Sequence, residues 1–279
     1  MASKLEGTAL ITGAGSGIPS SFQSFKIKGI TNPGIGRGTA NTLIQNGINN
    51  LSLLDINISA LESARNDLLS QHSTANILIQ QTDVASETSI ATAVKKTVEM
   101  YGRIDVAINS AGISGNPCPT HEMSLSEWQR VIDVNQTGVW ICQRELIRQM
   151  LGQENLGPRR GRGVIVNLSS MFGVHAPRGE FGISPYTASK HAVIAITKLD
   201  AKTYAPHGIR INAICPGYVD TPIIADAIRL GALQAEFDRT PMRRPSSVEE
   251  VADSISFLAS PMSSYMCGAA LVMDGGYTI

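Results

Sequence analysis

The sequence predicts an α/β fold in which one doubly wound parallel sheet of seven strands is covered by helices on both faces. Two observations predict it. Short apolar runs alternate with longer stretches whose apolar residues recur at helical spacing, which is the order that builds βαβ units. The 279 residues also exceed only slightly the roughly 200–250 residues of one large α/β domain. Because no shift in composition marks a boundary, we expect a single domain over residues 1–279.

The strands are predicted where runs of four to seven mostly apolar residues end at a polar residue or a turn. They are Thr8–Thr12, Leu51–Asp55, Ile77–Asp83, Ile104–Asn109, Val164–Ser169, Ile209–Cys215 and Ala270–Met273. The stretches between them show helical periodicity, and some begin at a residue that can cap a helix, such as Ser86 or Ser247. The predicted helices are Gly36–Asn46, Ser59–Gln71, Ser86–Tyr101, Ser124–Leu151, Ser184–Tyr204 and Ser247–Ala259.

The composition excludes several classes of protein. With 23 Lys and Arg against 23 Asp and Glu, the chain lacks the basic excess that holds nucleic acid. The four cysteines form no CxxC pair, which indicates neither a metal site nor a disulfide framework. No apolar stretch reaches the roughly 18 residues of a membrane span, and the N-terminus does not read as a signal peptide. We therefore expect a soluble cytoplasmic protein that binds no metal, nucleic acid or membrane.

A glycine cluster at Thr12–Ile18 follows the first predicted strand. Glycines such as Gly13 and Gly17 let the chain turn sharply, so that its backbone and the next helix N-terminus can bind a pyrophosphate. Asp55 ends the second strand, where its carboxylate can accept hydrogen bonds from ribose hydroxyls and repel a 2′-phosphate. The sequence therefore predicts a dinucleotide site that prefers NAD over NADP, with Gly13, Gly17, Ile18 and Asp55 among its residues.

The spacing of this motif is unusual. Gly13 lies 42 positions before Asp55, whereas about 20 is usual. Gly36 lies only 19 positions before it, and removing the 17 residues of Pro19–Ile35 restores an uninterrupted loop and helix start. An insertion over residues 19–35 has therefore split the motif, and we expect Gly36 to take the place of the third glycine.

Two explanations of the insertion are open. It is either a genuine surface excursion beside the cofactor or retained intron sequence. The second is favoured because 17 residues correspond to 51 in-frame nucleotides, the Gly-Ile pair recurs at both junctions, and Thr31-Asn32 can be encoded by a branch-point-like ACTAAC. In either case we expect weaker NAD binding, since Pro19 supplies no N–H and its side chain replaces a glycine near the phosphates.

A second group of residues predicts proton transfer. Tyr186 and Lys190 are four positions apart in a predicted helix and so share a face. A nearby ammonium favours the phenolate of a tyrosine, which makes Tyr186 a candidate proton donor and acceptor. Ser170 ends a strand 16 residues earlier and can hydrogen-bond a substrate oxygen. Asn135, a polar amide inside a long apolar helix, needs either a partner or a function.

The order of these motifs resembles the short-chain dehydrogenase/reductase family, and the resemblance covers almost the whole chain. Its motifs are the glycine loop, Asp55, Asp83-Val84, Asn109-Ser110-Ala111-Gly112, Asn135, Ser170, Tyr186-x-x-x-Lys190 and Pro216-Gly217-Tyr218-Val219-Asp220-Thr221. The resemblance implies a Rossmann-type fold, a homotetramer, and an NAD(P)-dependent enzyme of secondary metabolism that interconverts a secondary alcohol and a ketone. The departures from the family pattern are the insertion, Ser110 where a second Asn is common, and a long loop between Ser170 and Tyr186.

The resemblance also implies roles for single residues. Tyr186 would be the general acid/base, Lys190 would lower its pKa and hold the nicotinamide ribose, Ser170 would orient the substrate oxygen, and Asn135 would hold a water in a proton relay. Further cofactor contacts are implied for Asp83 and Val84 at the adenine, for Asn109 in support of the central strand, and for Val219 and Thr221 at the nicotinamide amide.

Two segments are candidates for the substrate side. Residues 218–244 follow a strand end, where open α/β sheets bind ligands, and we expect a lid there. The loop after Ser170 carries residues that could form an apolar wall, namely Met171, Phe172, His175, Pro177 and Phe181. Such a wall suits an apolar, cyclic or polyketide-like ketone. The alternatives are a non-catalytic dinucleotide sensor or scaffold, and a form that is inactive because its glycine loop is interrupted. The broken loop favours them, and the complete Ser-Tyr-Lys-Asn set opposes a sensor or scaffold.

Overall fold

The computed structural model describes residues 4–15, 33–222 and 224–279, which form one parallel sheet of seven strands flanked by helices. The strands are β1 Thr8–Thr12, β2 Asn50–Asp55, β3 Asn76–Gln81, β4 Val106–Asn109, β5 Gly163–Leu168, β6 Ile209–Pro216 and β7 Ala270–Met273. They lie in the order β3-β2-β1-β4-β5-β6-β7, with every neighbouring pair parallel. The predicted doubly wound fold and all seven predicted strands are confirmed.

The third strand ends two residues earlier than predicted. Its last residue is Gln81 rather than Asp83, because the chain turns there: the Asp83 carboxylate accepts a hydrogen bond from the Ala85 N–H, and the Asp83 carbonyl accepts one from Ser86. A carboxylate that bonds its own backbone two residues further along stabilises a turn in place of a strand.

Helices cover both faces of the sheet. They are α1 Ile35–Gln45, α2 Ile58–Gln71, α3 Glu87–Tyr101, α4 Leu125–Ile132, α5 Gly138–Leu151, α6 Ser184–Tyr204, α7 Ala225–Arg229, α8 Gln234–Arg239 and α9 Val248–Ala259. The two predicted caps are present, since the Ser86 side chain accepts from the Ser89 N–H, and Ser247 and Glu250 form a reciprocal capping box. In the part of the chain that the structure describes, no helix is long and apolar enough to span a membrane.

The predicted helix Ser124–Leu151 is wrong in one respect. A π turn over Asp133–Thr137 separates α4 from α5. Inside that turn Asn135 is fully buried and bonds the backbone of Ile113 through both its oxygen and its nitrogen. A π turn adds a residue to a helical turn and is frequent at functional sites. Here it lies where Asn135 contacts the loop that follows β4.

Alternating residues of the strands fill two cores. Ile11 of β1 belongs to the core that packs under α1 and α9, whereas its neighbour Leu10 belongs to the core under α3 and α5. This period of two is the expected pattern for a strand buried on both faces. The five inner strands are almost entirely buried, which explains why they could be recognised as short apolar runs.

The strand order reverses between β1 and β4, which is where doubly wound sheets bind ligands. The two turns at this point are in contact: a Cβ built on Gly13 would lie 2.9 Å from Cα of Ala111. Because all strands are parallel, the residues that follow β2, β5 and β6 reach the same edge of the sheet. The candidate site lies along this edge.

Candidate active site

The two ends of the interrupted glycine loop lie against each other. A Cβ on Gly36 would lie 2.5 Å from the carbonyl oxygen of Gly13 and 2.7 Å from Oγ of Ser110, so only glycine fits there without a shift. Gly36 is in the first turn of α1, as expected. Gly17, Ile18 and most of the insertion lie outside the described residues.

Two residues that the sequence analysis did not assign to the site lie at this helix start. Gly34 is the N-cap of α1 and Ile35 is its first residue, and no side chain caps the helix. They repeat the Gly17-Ile18 pair, and in the described structure Gly34-Ile35 directly precedes the glycine that packs on Gly13. The recurrence of the pair was the signal that could have identified them.

Asp55 lies at the glycine turn. It is 5% exposed, and one carboxylate oxygen accepts a hydrogen bond from the Gly15 N–H at 3.1 Å while the other accepts from Asn57 at 3.0 Å. The acidic side chain at the end of β2 thus lies directly beside the glycine turn that follows β1. This is the position from which a carboxylate can contact a ribose of a dinucleotide.

The remaining residues predicted to contact the cofactor are spread along the same edge. Asp83 is exposed in the turn after β3, and Val84 packs on α5, where a Cβ on Gly138 would lie 3.0 Å from its Cγ2. Val219 and Thr221 are both 7% exposed, and the Thr221 hydroxyl donates to the Val219 carbonyl at 3.2 Å.

Asn109 ends β4 in the centre of the sheet. Its side-chain nitrogen donates to Oδ1 of Asn167 at 2.8 Å. Asn167 in turn donates to Gln143 at 2.6 Å and to Thr197 at 2.8 Å. This buried network joins β4 and β5 to helices α5 and α6, and so fixes the strand ends on which the candidate site is built.

Tyr186, Lys190 and Ser170 are brought together. Lys190 is one turn after Tyr186 on α6, and its Nζ lies 5.5 Å from the centroid of the tyrosine ring. Nζ also donates to the carbonyl of Leu168, two residues before Ser170, at 2.8 Å. Burial lowers the pKa of Lys190 to about 8, so its ammonium is charged at neutral pH.

The pKa of Tyr186 depends on two opposing effects. Burial raises it above its ordinary value of 10, and a hydrogen bond with the Ser170 side chain lowers it. Ser170 is itself held by the Phe172 N–H, which donates to its hydroxyl oxygen at 3.1 Å. The serine and tyrosine hydroxyls are therefore adjacent, as a shared contact with one substrate oxygen requires.

Asn135 connects this group to the turn after β4. Its oxygen accepts from the Ile113 N–H and its nitrogen donates to the Ile113 carbonyl, both at 2.8 Å. Its nitrogen also lies 3.3 Å from the hydroxyl of Ser189. A Cβ on Gly112 would lie 3.3 Å from the Asn135 oxygen and 3.5 Å from Nζ of Lys190. The asparagine side chain thus holds the 112–113 turn beside the lysine.

An aromatic wall lies next to Ser170. It consists of Phe172, Phe181, Tyr218 and Phe237, with ring centroids 5.8–6.5 Å apart along the series Phe181, Phe172, Tyr218, Phe237. Of the five residues expected to form an apolar wall, Met171 and Phe172 are buried, Pro177 and Phe181 are partly buried, and His175 is exposed. Tyr218 and Phe237 were not predicted for it, because only the fold brings these distant positions together.

The residues at the sheet edge fit a dinucleotide. Gly13 and Gly36 leave no room for a side chain between the glycine turn and α1, so the turn packs directly against the N-terminus of a helix, where a phosphate can bind. Asp55 supplies an acceptor for a ribose, and the Ser-Tyr-Lys group lies across the switch point. A dinucleotide-binding sheet with proton-transfer groups at the same edge defines an oxidoreductase.

Comparisons with known proteins agree with this class. A sequence profile described as Enoyl-(Acyl carrier protein) reductase matches residues 29–278, a range that begins inside the insertion and so omits β1. The short-chain dehydrogenase anuF of Penicillium roqueforti (strain FM164) is 35% identical over 100% of this chain and 98% of its own. The cyclohexanol dehydrogenase of Acinetobacter sp. (strain SE19) is 34% identical over 97% of this chain and 94% of its own.

Solved structures show the same fold. Levodione reductase has a TM-score of 0.83 at 30% identity and covers 96% of both chains. NAD⁺-bound xylitol dehydrogenase has a TM-score of 0.81 at 30% identity, over 97% of this chain and 98% of that one. A variant of actinorhodin polyketide ketoreductase with NADPH has a TM-score of 0.81 at 28% identity, over 99% of both.

The chain belongs to the short-chain dehydrogenase/reductase family. The predictions of the family and of an oxidoreductase that acts on the CH–OH group are confirmed by the relatives. The family binds NAD or NADP, and its solved members include a complex with each.

Proposed function

We propose that the protein interconverts a secondary alcohol and a ketone with NAD as its cofactor. The observation that carries the proposal is the contact of Ser170 with Tyr186, beside the buried ammonium of Lys190, at the edge where the glycine turn meets Asp55. When bound, the nicotinamide supplies the hydride acceptor or donor.

Tyr186 is the proton-transfer group. In oxidation its hydroxyl oxygen, as phenolate, removes the proton of the substrate hydroxyl, and in reduction it returns a proton to the carbonyl oxygen. The Ser170 hydroxyl donates a hydrogen bond to the same substrate oxygen and stabilises the negative charge that develops there. Their adjacency allows both groups to act on one atom.

Lys190 helps Tyr186 to ionise to the phenolate. Its ammonium lies 5.5 Å from the centroid of the Tyr186 ring, and a positive charge at that distance favours the negative form of the tyrosine. We further propose that Asn135 supports a proton relay from Lys190 by holding the 112–113 turn beside it. Gly112 leaves the space between the two side chains free of a Cβ.

The preference for NAD is proposed from Asp55. Its buried carboxylate at the glycine turn would accept a hydrogen bond from a ribose 2′-hydroxyl and would repel a 2′-phosphate. The roles of Gly13, Gly36, Asp83, Val84, Val219 and Thr221 in holding the cofactor are proposed from their positions along the same edge.

The substrate is proposed to be an apolar ring ketone or its alcohol. The aromatic wall beside Ser170 supports this, since aromatic surfaces bind apolar rings well. The relative from Acinetobacter is named for a cyclic alcohol. Residues 218–244, which contain α7 and α8 and contribute Tyr218 and Phe237 to the wall, are proposed as a lid over the substrate site.

A homotetramer in the cytoplasm is the proposed form of the protein. The long helices α5 and α6 carry exposed apolar residues, among them Trp140 at 42% and Leu199 at 67% exposure. Contact between copies would remove such surface from water. Light scattering checks the mass, and a monomeric mass would contradict the proposal.

The decisive test is a panel of cyclic and acyclic ketones with NADH and NADPH, followed by cofactor absorbance. We expect NADH oxidation that depends on a ring ketone. The competing function, a dinucleotide sensor, requires a different result: NADH would bind, as fluorescence titration would show, and no carbonyl compound would be reduced.

A further inference from the structure

A buried carboxylate lies behind the aromatic wall. Glu236 of α8 is 2% exposed and is bonded on both oxygens. Tyr277 donates to Oε2, and Tyr218 donates to the same oxygen at 3.3 Å. Arg178 donates to Oε1 at 3.1 Å, and the guanidinium of Arg239 lies 3.9 Å from it.

The partners of Glu236 come from separate segments. Arg178 belongs to the loop between β5 and α6, Tyr218 follows β6, and Tyr277 is near the C-terminal end. Burial alone would raise the pKa of Glu236, but the hydrogen bonds from Tyr277 and Arg178 outweigh it, and the pKa falls below its ordinary value. The group is therefore an ionised acid at neutral pH, bonded on both oxygens.

These contacts lead directly to the proposed reaction centre. The Tyr218 ring packs edge-on against Phe172, with centroids 6.2 Å apart, and edge-on against Tyr277, at 5.9 Å. The Phe172 N–H holds the hydroxyl oxygen of Ser170. One carboxylate thus fixes the ring that abuts the residue holding the substrate-orienting serine.

A stabilising role alone does not account for this arrangement. Apolar residues of similar volume are often at least as stabilising as a buried ionic cluster. What directional hydrogen bonds add is a fixed orientation of the groups that make them. Here the group whose orientation is fixed is the Tyr218 ring. That ring is part of the aromatic wall, and its residue directly precedes Val219 in the chain.

We propose that Glu236 is a positioning residue for the substrate, which sets substrate affinity by holding Tyr218 in the aromatic wall. The inference rests on the proposed function. It assigns to Glu236 an effect on the binding of the ketone rather than on proton transfer, because Glu236 acts through Tyr218 and does not touch the Ser-Tyr-Lys group.

The test compares Glu236→Gln with Asp238→Asn. Glutamine keeps the shape of the side chain but has a single acceptor oxygen, so it cannot accept from both Arg178 and the two tyrosines. Asp238 is exposed on the same helix and bonds only its neighbour Gln234 among the contacts described, which makes it a control for the loss of one negative charge.

For Glu236→Gln we expect KM for the ketone to rise about tenfold, the effect of losing one charge-assisted hydrogen bond. We expect kcat and the Kd for NADH to stay within about threefold of the parent. Asp238→Asn should change none of them. If the apparent kcat falls while KM stays constant, the substitution only reduces the amount of folded enzyme and leaves the substrate site unchanged. That result overturns the proposal.

A readout without turnover separates this proposal from the proposed function. Amide hydrogen exchange should be faster in α8 and in residues 274–279 of Glu236→Gln, and unchanged in Asp238→Asn. If the parent reduces no ketone, the proposed function fails, and unchanged exchange in Glu236→Gln overturns the positioning role independently.

Tyr277→Phe keeps the ring and loses one donor, so it should shift KM and exchange in the same direction, KM by about threefold. An unaffected KM in both variants contradicts the proposal.

Discussion

The two halves of the candidate site differ in how the chain builds them. In the half around β5 and α6, Ser170, Tyr186 and Lys190 meet through contacts between continuous elements. In the half around β1 and α1, the glycine motif is split by 17 residues, yet Gly13 and Gly36 still pack against each other. The insertion thus leaves the sheet and the proton-transfer groups in place. We expect it to limit cofactor binding, not the chemical step.

The largest effect that tests this comparison is on the proton-transfer half. Replacing Tyr186 with Phe removes the hydroxyl that transfers the proton and keeps the ring over Lys190. We expect kcat/KM to fall by about 10³-fold, since general acid–base catalysis typically contributes 10²–10⁴. The Kd for NADH, measured by fluorescence titration, should change little. Retained turnover would refute the role of Tyr186 in proton transfer.

The second effect is on stability and concerns the buried ammonium. Burial lowers the pKa of Lys190 to about 8 in the folded protein, from 10.5. Between these values the unfolded chain binds more protons than the folded one, so Lys190 makes the free energy of unfolding rise with pH. The rise amounts to something on the order of 3 kcal/mol across that window. In Lys190→Met it should be absent.

Denaturant titrations at pH 7.5, 9 and 10.5 check this, since they compare the pH dependence of two variants and not their absolute stabilities. Lys198→Met is the matched control, because Lys198 is exposed on the same helix. It should follow the parent at every pH. Parallel curves for the parent and Lys190→Met would show that the ammonium is not desolvated in the folded protein.

The third effect is on the nucleotide half. Deleting Pro19–Ile35 restores the continuous loop Gly13 to Gly36, and we expect the Kd for NADH to fall about tenfold, as for one or two regained contacts between backbone N–H groups and phosphate. Titration of both length forms measures it. Equal affinities would mean that the split loop binds the cofactor as well as the continuous one.

The origin of the insertion has its own test. A peptide mass from native protein, or transcript reads, that span Pro19–Ile35 would establish a genuine excursion and refute retained intron sequence. If only the shorter form is found, the proposed weakness of NAD binding belongs to this form of the chain alone.

The sequence was sufficient for features that depend on local patterns. The strands followed from apolar runs, because the inner strands of the sheet are buried on both faces. Tyr186 and Lys190 shared a helix face because of their spacing. The π turn at Asn135 did not follow, since it accompanies contacts with Ile113, 22 positions away. The Glu236 cluster leaves no periodic signal either, because its partners are up to 58 positions from it in the chain.

The smallest effect concerns the choice of cofactor and tests Asp55. Asparagine at this position can still accept from the Gly15 N–H but carries no charge to repel a 2′-phosphate. We expect Asp55→Asn to raise the Kd for NADH about threefold, because its hydrogen bond to the ribose becomes a neutral one, and to lower the Kd for NADPH, because one repulsion is lost. Glu62→Gln, an exposed change on α2, controls for net charge. Because the NADPH-to-NADH ratio is measured within one variant, the effect of the insertion on both cofactors cancels. An unchanged ratio would therefore mean that Asp55 does not select between NADH and NADPH, and that residues on the other side of the glycine turn do.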